Sequence, residues 1–334
     1  GGNSLGESCL SSSSIVLLFH TMLDIKFIRE NKDIVAAGAK KKRIEIDLEK
    51  LLSLDDKRRE LQAKIDERRA EQNSASNAIV SAKEDPERQA IISKMQEVKE
   101  TLRLEEESMQ EILKEWRALM VQVPNVPDVS VPEGESDADN QEVRVWGEIP
   151  KFDFEPRSHT ELLSLHDMAD YERGAKVAGF RGYFLKNDGT RLVWALERLV
   201  QDRFADKGFT PMIVPSMVRR ESFVGTGYLP QSEEDLYKTQ DGDYLAGTAE
   251  VATMGYYMDE ILNKKDLPLK FLSFSPCFRR EAGSHGRDTK GIFRIHEFQK
   301  YEQVVLCEAN HEESVKWHEE LTKNAEDLLQ KLGI

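Results

Sequence analysis

Apolar residues recur at alternating steps of three and four along two long stretches of the first third of the chain. In the first, positions 51, 54, 58, 61, 65, 68, 72, 75 and 79 carry Leu51, Leu54, Arg58, Leu61, Ile65, Arg68, Gln72, Ala75 and Ile79, six of them apolar. In the second, Ile91, Met95, Val98, Leu102, Glu105, Met109, Ile112, Trp116 and Leu119 follow the same rhythm, and only Glu105 is polar. A three-four repeat is the seam of a coiled coil. Between the stretches lies Ser81-Ala-Lys-Glu-Asp-Pro-Glu87, where Pro86 suits the first turn of a returning helix because it lacks the N–H orphaned there. A connection this short makes the two helices antiparallel neighbours, each on the order of 50 Å long at about 1.5 Å per residue.

The pattern then changes. Residues 121–139 hold Pro124, Pro127, Pro132 and Gly134 among small and acidic residues, a composition that cannot sustain a helix. The predicted organisation is a leader over 1–21, a coiled-coil arm over 22–122, a linker over 123–140 and a second domain over 141–334. In that domain, residues 192–205 read as an amphipathic helix through Leu192, Leu196, Leu199, Val200 and Phe204. Residues 244–247, 271–278 and 292–306 read as strands, and 312–331 as a final amphipathic helix. The fold class is therefore α+β, a helical arm followed by a mixed domain.

Charge refines this picture. Lys plus Arg number 47 against 61 Asp plus Glu, a net charge of −14, so a nucleic-acid site must be a local patch on an acidic body. The helices of the arm differ: residues 40–69 carry 11 basic and 8 acidic side chains, whereas 84–115 carry 5 and 10. The basic clusters are Lys40, Lys41, Lys42 and Arg43, then Arg58-Arg59 and Arg68-Arg69. They fit either a solvated coiled-coil face or a face that contacts phosphates. Cys9, Cys277 and Cys307 are scattered and odd in number, which argues against a disulfide framework or a structural zinc and suits a reducing cytoplasm. The apolar run at 15–19 is too short to span a bilayer and has no basic region before it, so the leader is expected to be disordered or non-native, with the native start at Met22. No GxGxxG or GxxxxGKS loop occurs.

The chemistry concentrates in residues 275–303, SPCFRREAGSHGRDTKGIFRIHEFQKYEQ, two predicted strands around a loop with Gly283, Gly286 and Gly291. Strand alternation sets Arg279 and Glu281 on one face, and Arg294, Phe298 and Glu302 on one face of the other strand. Arg–Glu pairs across a solvated sheet are one reading. It leaves Phe298 exposed among charges, whereas a nucleotide uses the whole set: arginine for phosphate, an aromatic ring for a base, a carboxylate for an amine. His285 and His296 fit no general-base role and read as surface residues, and Cys277 reads as packing.

This segment resembles motif 2 of the class II aminoacyl-tRNA synthetases in its seryl form. Residues 204–218, FADKGFTPMIVPSMV, resemble motif 1, with Pro215 at its fixed proline. Residues 247–251, GTAEV, resemble the Thr-Ala-Glu loop of seryl enzymes, and 171–185 and 22–31 resemble the segment before motif 1 and the usual start. The resemblance implies a six- or seven-stranded antiparallel sheet flanked by helices, an antiparallel coiled-coil arm that binds tRNA(Ser), a homodimer formed through motif 1 around Pro215, and a cytoplasmic protein without membrane attachment. It implies serine activation by ATP with Mg2+ and transfer of the seryl group to tRNA(Ser). By position, Arg279 holds the α-phosphate and the serine carboxylate, Glu281 the adenine amino group, Phe298 the adenine ring and Arg294 the outer phosphates, with Arg280 and Ile295 in the same ATP-binding set. Arg279, Glu281 and Arg294 form its catalytic group. Thr248 and Glu250 receive the serine amino group, Ala249 belongs to the same serine-binding set, and Glu302 accepts a hydrogen bond from serine. Lys40 to Arg43, Arg58, Arg59, Arg68 and Arg69 are the implied tRNA contacts.

The chain departs from the family pattern at Ile334, before motif 3 and its ATP-clamping arginine and Mg2+-coordinating acids. The catalytic sheet is therefore expected to be incomplete, with an exposed edge, no metal ligands within the chain, and no activity in the chain as given. The alternative is a non-catalytic paralogue that binds tRNA or a protein partner. Such a paralogue would have no use for Thr248, Glu250, Arg279, Glu281, Phe298 and Glu302, which are all in place.

Overall fold

The computed structural model describes residues 23–81, 85–282 and 290–334, and two compact units part between Val145 and Trp146. The leader, Met22, Cys9, the middle of the 81–87 connection, Gly283, His285 and Gly286 lie outside the described residues.

The first unit is helical. Asp24 caps α1 (Ile25–Glu30) by accepting from the Phe27 N–H at 2.7 Å, and α2 (Lys32–Lys41) follows directly. The long helices α3 (Leu48–Ser81) and α4 (Asp85–Met120) form the antiparallel pair, with Pro86 in the first turn of α4. The three-four seam is what packs. Ile65, Leu102 and Met109 are buried together, with Leu61 and Leu113 against them. At the base, Phe27, Ile28, Val35, Leu48 and Leu51 bury against Trp116, Leu119, Val123 and Val126. Burying each large aliphatic side chain contributes on the order of 1.5–3 kcal/mol, so these clusters rather than helix propensity hold the pair. Lys50–Glu115 at 3.3 Å and Arg69–Glu106 at 2.7 Å cross between the helices. The first residues of the Pro-rich stretch pack on this base: a Cβ at Gly38 would stand 3.3 Å from Pro127 Cδ.

The second unit carries α5 (His159–Leu165), β1 (Ala169–Asp170), α6 (Tyr171–Ala178), β2 (Phe184–Leu185) and α7 (Asp188–Ala205). It continues with β3 (Thr210–Ile213), β4 (Met217–Val218), α8 (Arg220–Gly225), β5 (Tyr237–Lys238), β6 (Tyr244–Leu245) and α9 (Glu250–Gly255). It closes with β7 (Leu269–Phe278), β8 (Glu297–Leu306) and α10 (His311–Leu332). The described residues form three sheets, β1-β2, β3-β7-β8 and β4-β6-β5. β7 and β8 pair antiparallel from Leu269↔Leu306 to Phe278↔Glu297. β3 runs parallel to β7 from Thr210↔Phe271, so the core sheet is mixed and not purely antiparallel. Among the described residues β8 has no partner on its outer side.

Two apolar clusters brace these sheets. Phe204, Phe209 and Leu272 lock α7 to the β3-β7-β8 sheet, with Tyr301, Val305 and Leu321 around them. Phe223, Leu229, Leu236, Tyr244 and Val251 lock α8 and α9 to the smaller sheet. No helix among the described residues is long and apolar enough to cross a membrane.

Two expectations about the strands are corrected. The strand read over 292–306 begins only at Glu297, so Arg294 lies in the bend before it and not on the face of Phe298 and Glu302. β7 ends at Phe278, so Arg279 and Glu281 are not strand neighbours, and Glu281 adopts φ 57.

Candidate active site

The site is built at the ends of β7 and β8. The Arg279 N–H donates to the His296 carbonyl at 2.9 Å, which continues the pairing by one residue past the strand. The Arg279 guanidinium donates to the Gly247 carbonyl through Nε at 3.3 Å and Nη2 at 3.2 Å and lies 5.4 Å from the Phe298 ring centroid. Gly247 permits this approach, since a Cβ there would stand 3.1 Å from Arg279 Cγ and 3.2 Å from the Phe278 carbonyl. Arg294 Nη1 donates to Glu281 Oε2 at 2.7 Å. Arg279 thus meets Phe298 and Arg294 meets Glu281, and of the five side chains that alternation assigned to one surface only Phe298 and Glu302 lie on a strand.

Their surroundings hold the loops in place. The Arg280 N–H donates to the Asp235 carbonyl at 3.0 Å, and the Ala282 N–H to the Asp235 carboxylate at 3.1 Å. Arg280 is exposed, whereas Ile295 is buried beneath the bend. His296 is half-buried, with Nδ1 3.0 Å from the Arg279 carbonyl, and Cys277 is fully buried within β7.

A second group of side chains sits beside the first. Thr248 is buried and donates to Glu302 Oε2 at 2.8 Å. Its hydroxyl also accepts from the Glu250 N–H at 3.3 Å, and Ala249 is buried between them. The Lys300 ammonium lies 2.6 Å from Glu302 Oε2. Burial, and then the neighbouring Glu302 charge, push the Glu250 carboxyl above its ordinary pKa, with Lys300 and a hydrogen bond from Tyr228 acting in the opposite direction. Burial and the Glu250 charge push the Tyr228 phenol up as well. Two carboxylates, one ammonium, a hydroxyl and a phenol therefore converge: a cradle for a small polar molecule with an ammonium group.

Sequence reasoning missed Tyr228 and Lys300. Tyr228 lies in the loop after α8, far from any motif, and only the fold brings it to Glu250. Lys300 carried a readable signal, since it stands between Phe298 and Glu302 at the period of two.

The basic residues of the first unit divide. Arg58 donates to buried Asp55 through Nε at 3.0 Å and Nη2 at 2.8 Å and lies over the Trp116 ring at 5.4 Å, so it is part of the helix packing. Arg68 is half-buried and paired with Glu71 at 3.2 Å. Arg59 and Arg69 are exposed. Lys40 and Lys41 end α2, where Lys41 donates to the Val131 carbonyl and Arg43 pairs with Glu135 at 3.3 Å, while Lys42 is exposed. Pro215 is exposed between β3 and β4, flanked by Ile213 at 86% exposure and Met217 at 58%.

Comparison with known proteins agrees across both units. Residues 22–127 match the Seryl-tRNA synthetase N-terminal domain, and residues 236–334 match the tRNA synthetase class II core domain (G, H, P, S and T). The chain is 43% identical over 315 residues to a serine--tRNA ligase of Deinococcus radiodurans and 41% identical over 321 residues to one of Methanocella arvoryzae, covering 94% of itself and 74% of each relative. Seryl-tRNA synthetase from Pyrococcus horikoshii, solved in complex with ATP, superposes with a TM-score of 0.78 at 37% identity, over 93% of this chain and 75% of that one. The cytoplasmic serine-tRNA ligase from Naegleria fowleri, solved with AMP, superposes with a TM-score of 0.78 at 28% identity, over 94% of this chain and 74% of that one. Fold, motif order and identity over most of its length agree, and the chain belongs to the serine--tRNA ligases, a family of class II aminoacyl-tRNA synthetases.

Proposed function

We propose that the convergent groups at the ends of β7 and β8 bind ATP and serine for seryl-adenylate formation, and that the helical arm binds tRNA(Ser) for the transfer that follows. The observation that carries this reading is the juxtaposition of two recognition sets. Arg279, Glu281, Arg294 and Phe298 suit a nucleotide triphosphate, and Thr248, Glu250 and Glu302 suit an amino acid with a hydroxyl. A serine carboxylate oxygen attacks the α-phosphorus, and pyrophosphate leaves. The reaction needs alignment and charge neutralisation more than covalent help. Arg279 serves both, bridging the serine carboxylate and the α-phosphate. Its guanidinium now covers Phe298, so ATP binding requires it to swing off that ring and leave the face to adenine. Glu281 accepts from the adenine amino group, and Arg294, now paired with Glu281, turns to the outer phosphates. Arg280 and Ile295 complete the ATP pocket, and Ala249 leaves room for the serine amino group.

Mg2+ is the metal that the family implies. Among the described residues no three His, Cys, Asp or Glu side chains come together to hold a metal. The 334 residues span about 74% of the length of the ligase relatives, and the proposal concerns the part of the site that they carry. A chain that binds only tRNA or protein has no use for this set of ligand groups, and their assembly supports the catalytic reading. Exposed Ile213, Pro215 and Met217 support a homodimer formed through this edge, and the unclustered cysteines support a cytoplasmic location.

Titration with ATP tests the nucleotide half. Phe298→Ala removes a stacking surface of roughly 1–3 kcal/mol and should weaken binding about 10- to 100-fold. ATP affinity unchanged by both Phe298→Ala and Arg294→Ala contradicts the assignment.

A further inference from the structure

Lys300 is the one charged group of this cradle that the substrate roles above leave without a task. β8 alternation sets Phe298, Lys300 and Glu302 on one face, and Lys300 Nζ lies 2.6 Å from Glu302 Oε2 with its side chain 30% exposed. Among the described residues, the charged and titratable groups around Glu250 and Glu302 are Lys300 on β8, Tyr228 from the loop after α8, and Arg279 past the end of β7; Thr248 contributes a hydroxyl. Arg279 is drawn to the Gly247 carbonyl and to Phe298, on the nucleotide side.

On the reading that this cradle binds serine, we propose that Lys300 is a positioning residue for the amino acid: its ammonium, held on Glu302 beside Glu250, keeps the Glu250 carboxyl available as a carboxylate and leaves the group with one net negative charge for one incoming ammonium. Two carboxylates that share a site cannot both stay ionised without a cation, and one of them takes a proton. The cation already present lets the site admit serine without first expelling that proton. The tendency is visible with Lys300 in place, because burial and then the Glu302 charge already raise the Glu250 carboxyl, and Lys300 opposes the rise. Without Lys300 the charge count falls from −1 to −2, and Glu250 holds its proton to a higher pH. Serine binding then costs the release of a proton across a range in which the parent releases none. The same arrangement favours ligands with an ammonium over hydroxy acids of the same shape, since a neutral group leaves the residual charge unpaired.

The test is calorimetric titration of a seryl sulfamoyl adenosine, a stable mimic of the adenylate, from pH 5 to 9 in buffers of different ionisation enthalpy. The parent, Lys300→Met, Lys300→Arg and the double variant Lys300→Met/Glu250→Gln are compared. In Lys300→Met the acid limb of affinity should move to higher pH, so that affinity falls much more inside that window than at the alkaline end. Binding should release up to one proton there, and affinity at the alkaline end should stay within a few-fold of the parent. Lys300→Arg should restore the parent profile, and the double variant should lose the shifted limb. Affinity lowered by one factor at every pH, or a Lys300→Met profile that matches the parent, overturns the inference. A parent chain that does not bind the seryl compound at any pH sinks the serine-site reading, and this inference with it; binding by the parent with no shift in Lys300→Met sinks the inference alone.

Discussion

Replacing Asp55 by alanine should loosen the base of the arm. Its carboxylate is 2% exposed and accepts from Arg29 Nη2 at 2.8 Å, from Arg58 Nε at 3.0 Å and from Arg58 Nη2 at 2.8 Å. These contacts tie α1 to α3, and Arg58 carries the tie to Trp116 on α4. Removing one partner of a buried ion pair costs about 3–5 kcal/mol when the other is left dry. Arg29 and Arg58 keep 31% and 28% of their side-chain exposure, so water re-solvates them, and about 2–3 kcal/mol is expected. At about 4–8 °C per kcal/mol for a unit of this size, the arm should melt roughly 10 °C earlier, followed by circular dichroism at 222 nm. The pH dependence supplies a second reading. Burial acts to raise the Asp55 pKa, and the Arg29 and Arg58 hydrogen bonds outweigh it, so the carboxyl sits below its ordinary value. A depressed carboxyl contributes stability that is complete above the ordinary value of about 3.9 and is lost as pH falls through the lowered one. The parent arm should therefore lose stability in that acid window, and Asp55→Ala should not show this component. A melting point within about 2 °C of the parent at pH 7, or an unchanged acid profile, would refute the reasoning.

Other outcomes follow from the same geometry. Arg59→Glu should weaken tRNA binding and flatten its salt dependence without moving the melting point, whereas Arg58→Ala should lower the melting point; equal melting losses from both would contradict the division of roles. Glu302→Gln should weaken serine-compound binding by about 10- to 100-fold and leave ATP affinity within a few-fold, because it removes a charge that favours ammonium and hydroxyl donors. Gly247→Ala should weaken ATP binding, since its Cβ would press on Arg279 at 3.1 Å; unchanged affinity in the titration would show that Arg279 has room elsewhere. In the parent, serine-compound affinity should fall as pH drops through the raised Glu250 pKa, because the ammonium needs the carboxylate; a profile flat to pH 4 contradicts this.

How far the sequence reveals such a site depends on the range of the interaction. The coiled-coil seam was legible because a three-four repeat is a local property, and Ile65, Leu102, Met109 and Trp116 pack where the repeat puts them. Arg58 occupies a seam position, which the repeat alone marks as an anomaly. Its reason is Asp55 together with Trp116, 58 residues along the chain, and no pattern shows that pairing. α1 and α2 are too short for periodicity and are held by the Asp24 cap and by burial against Leu51 and Trp116. At the candidate active site, residue types and motif order picked out the proposed ligand groups, and alternation misplaced three of them. Arg279, Glu281 and Arg294 lie past the strand ends, and the contacts Arg294–Glu281 and Arg279–Gly247 assemble the set instead. The parallel pairing of β3 with β7 likewise depends on long-range packing of Phe204, Phe209 and Leu272.

The central claim is that Thr248, Glu250 and Glu302 recognise serine beside a nucleotide held by Arg279, Glu281, Arg294 and Phe298. Its most direct test is calorimetric titration of the chain at pH 8 with seryl sulfamoyl adenosine and with the alanyl compound, which differ by one hydroxyl. A site built to hydrogen-bond a hydroxyl rejects the analogue that lacks it, because Glu302 and Thr248 are left without their partner. The seryl compound should bind at least about 100-fold more tightly, and Glu302→Gln should remove most of that difference. Equal affinities for the two compounds in the parent chain would contradict it.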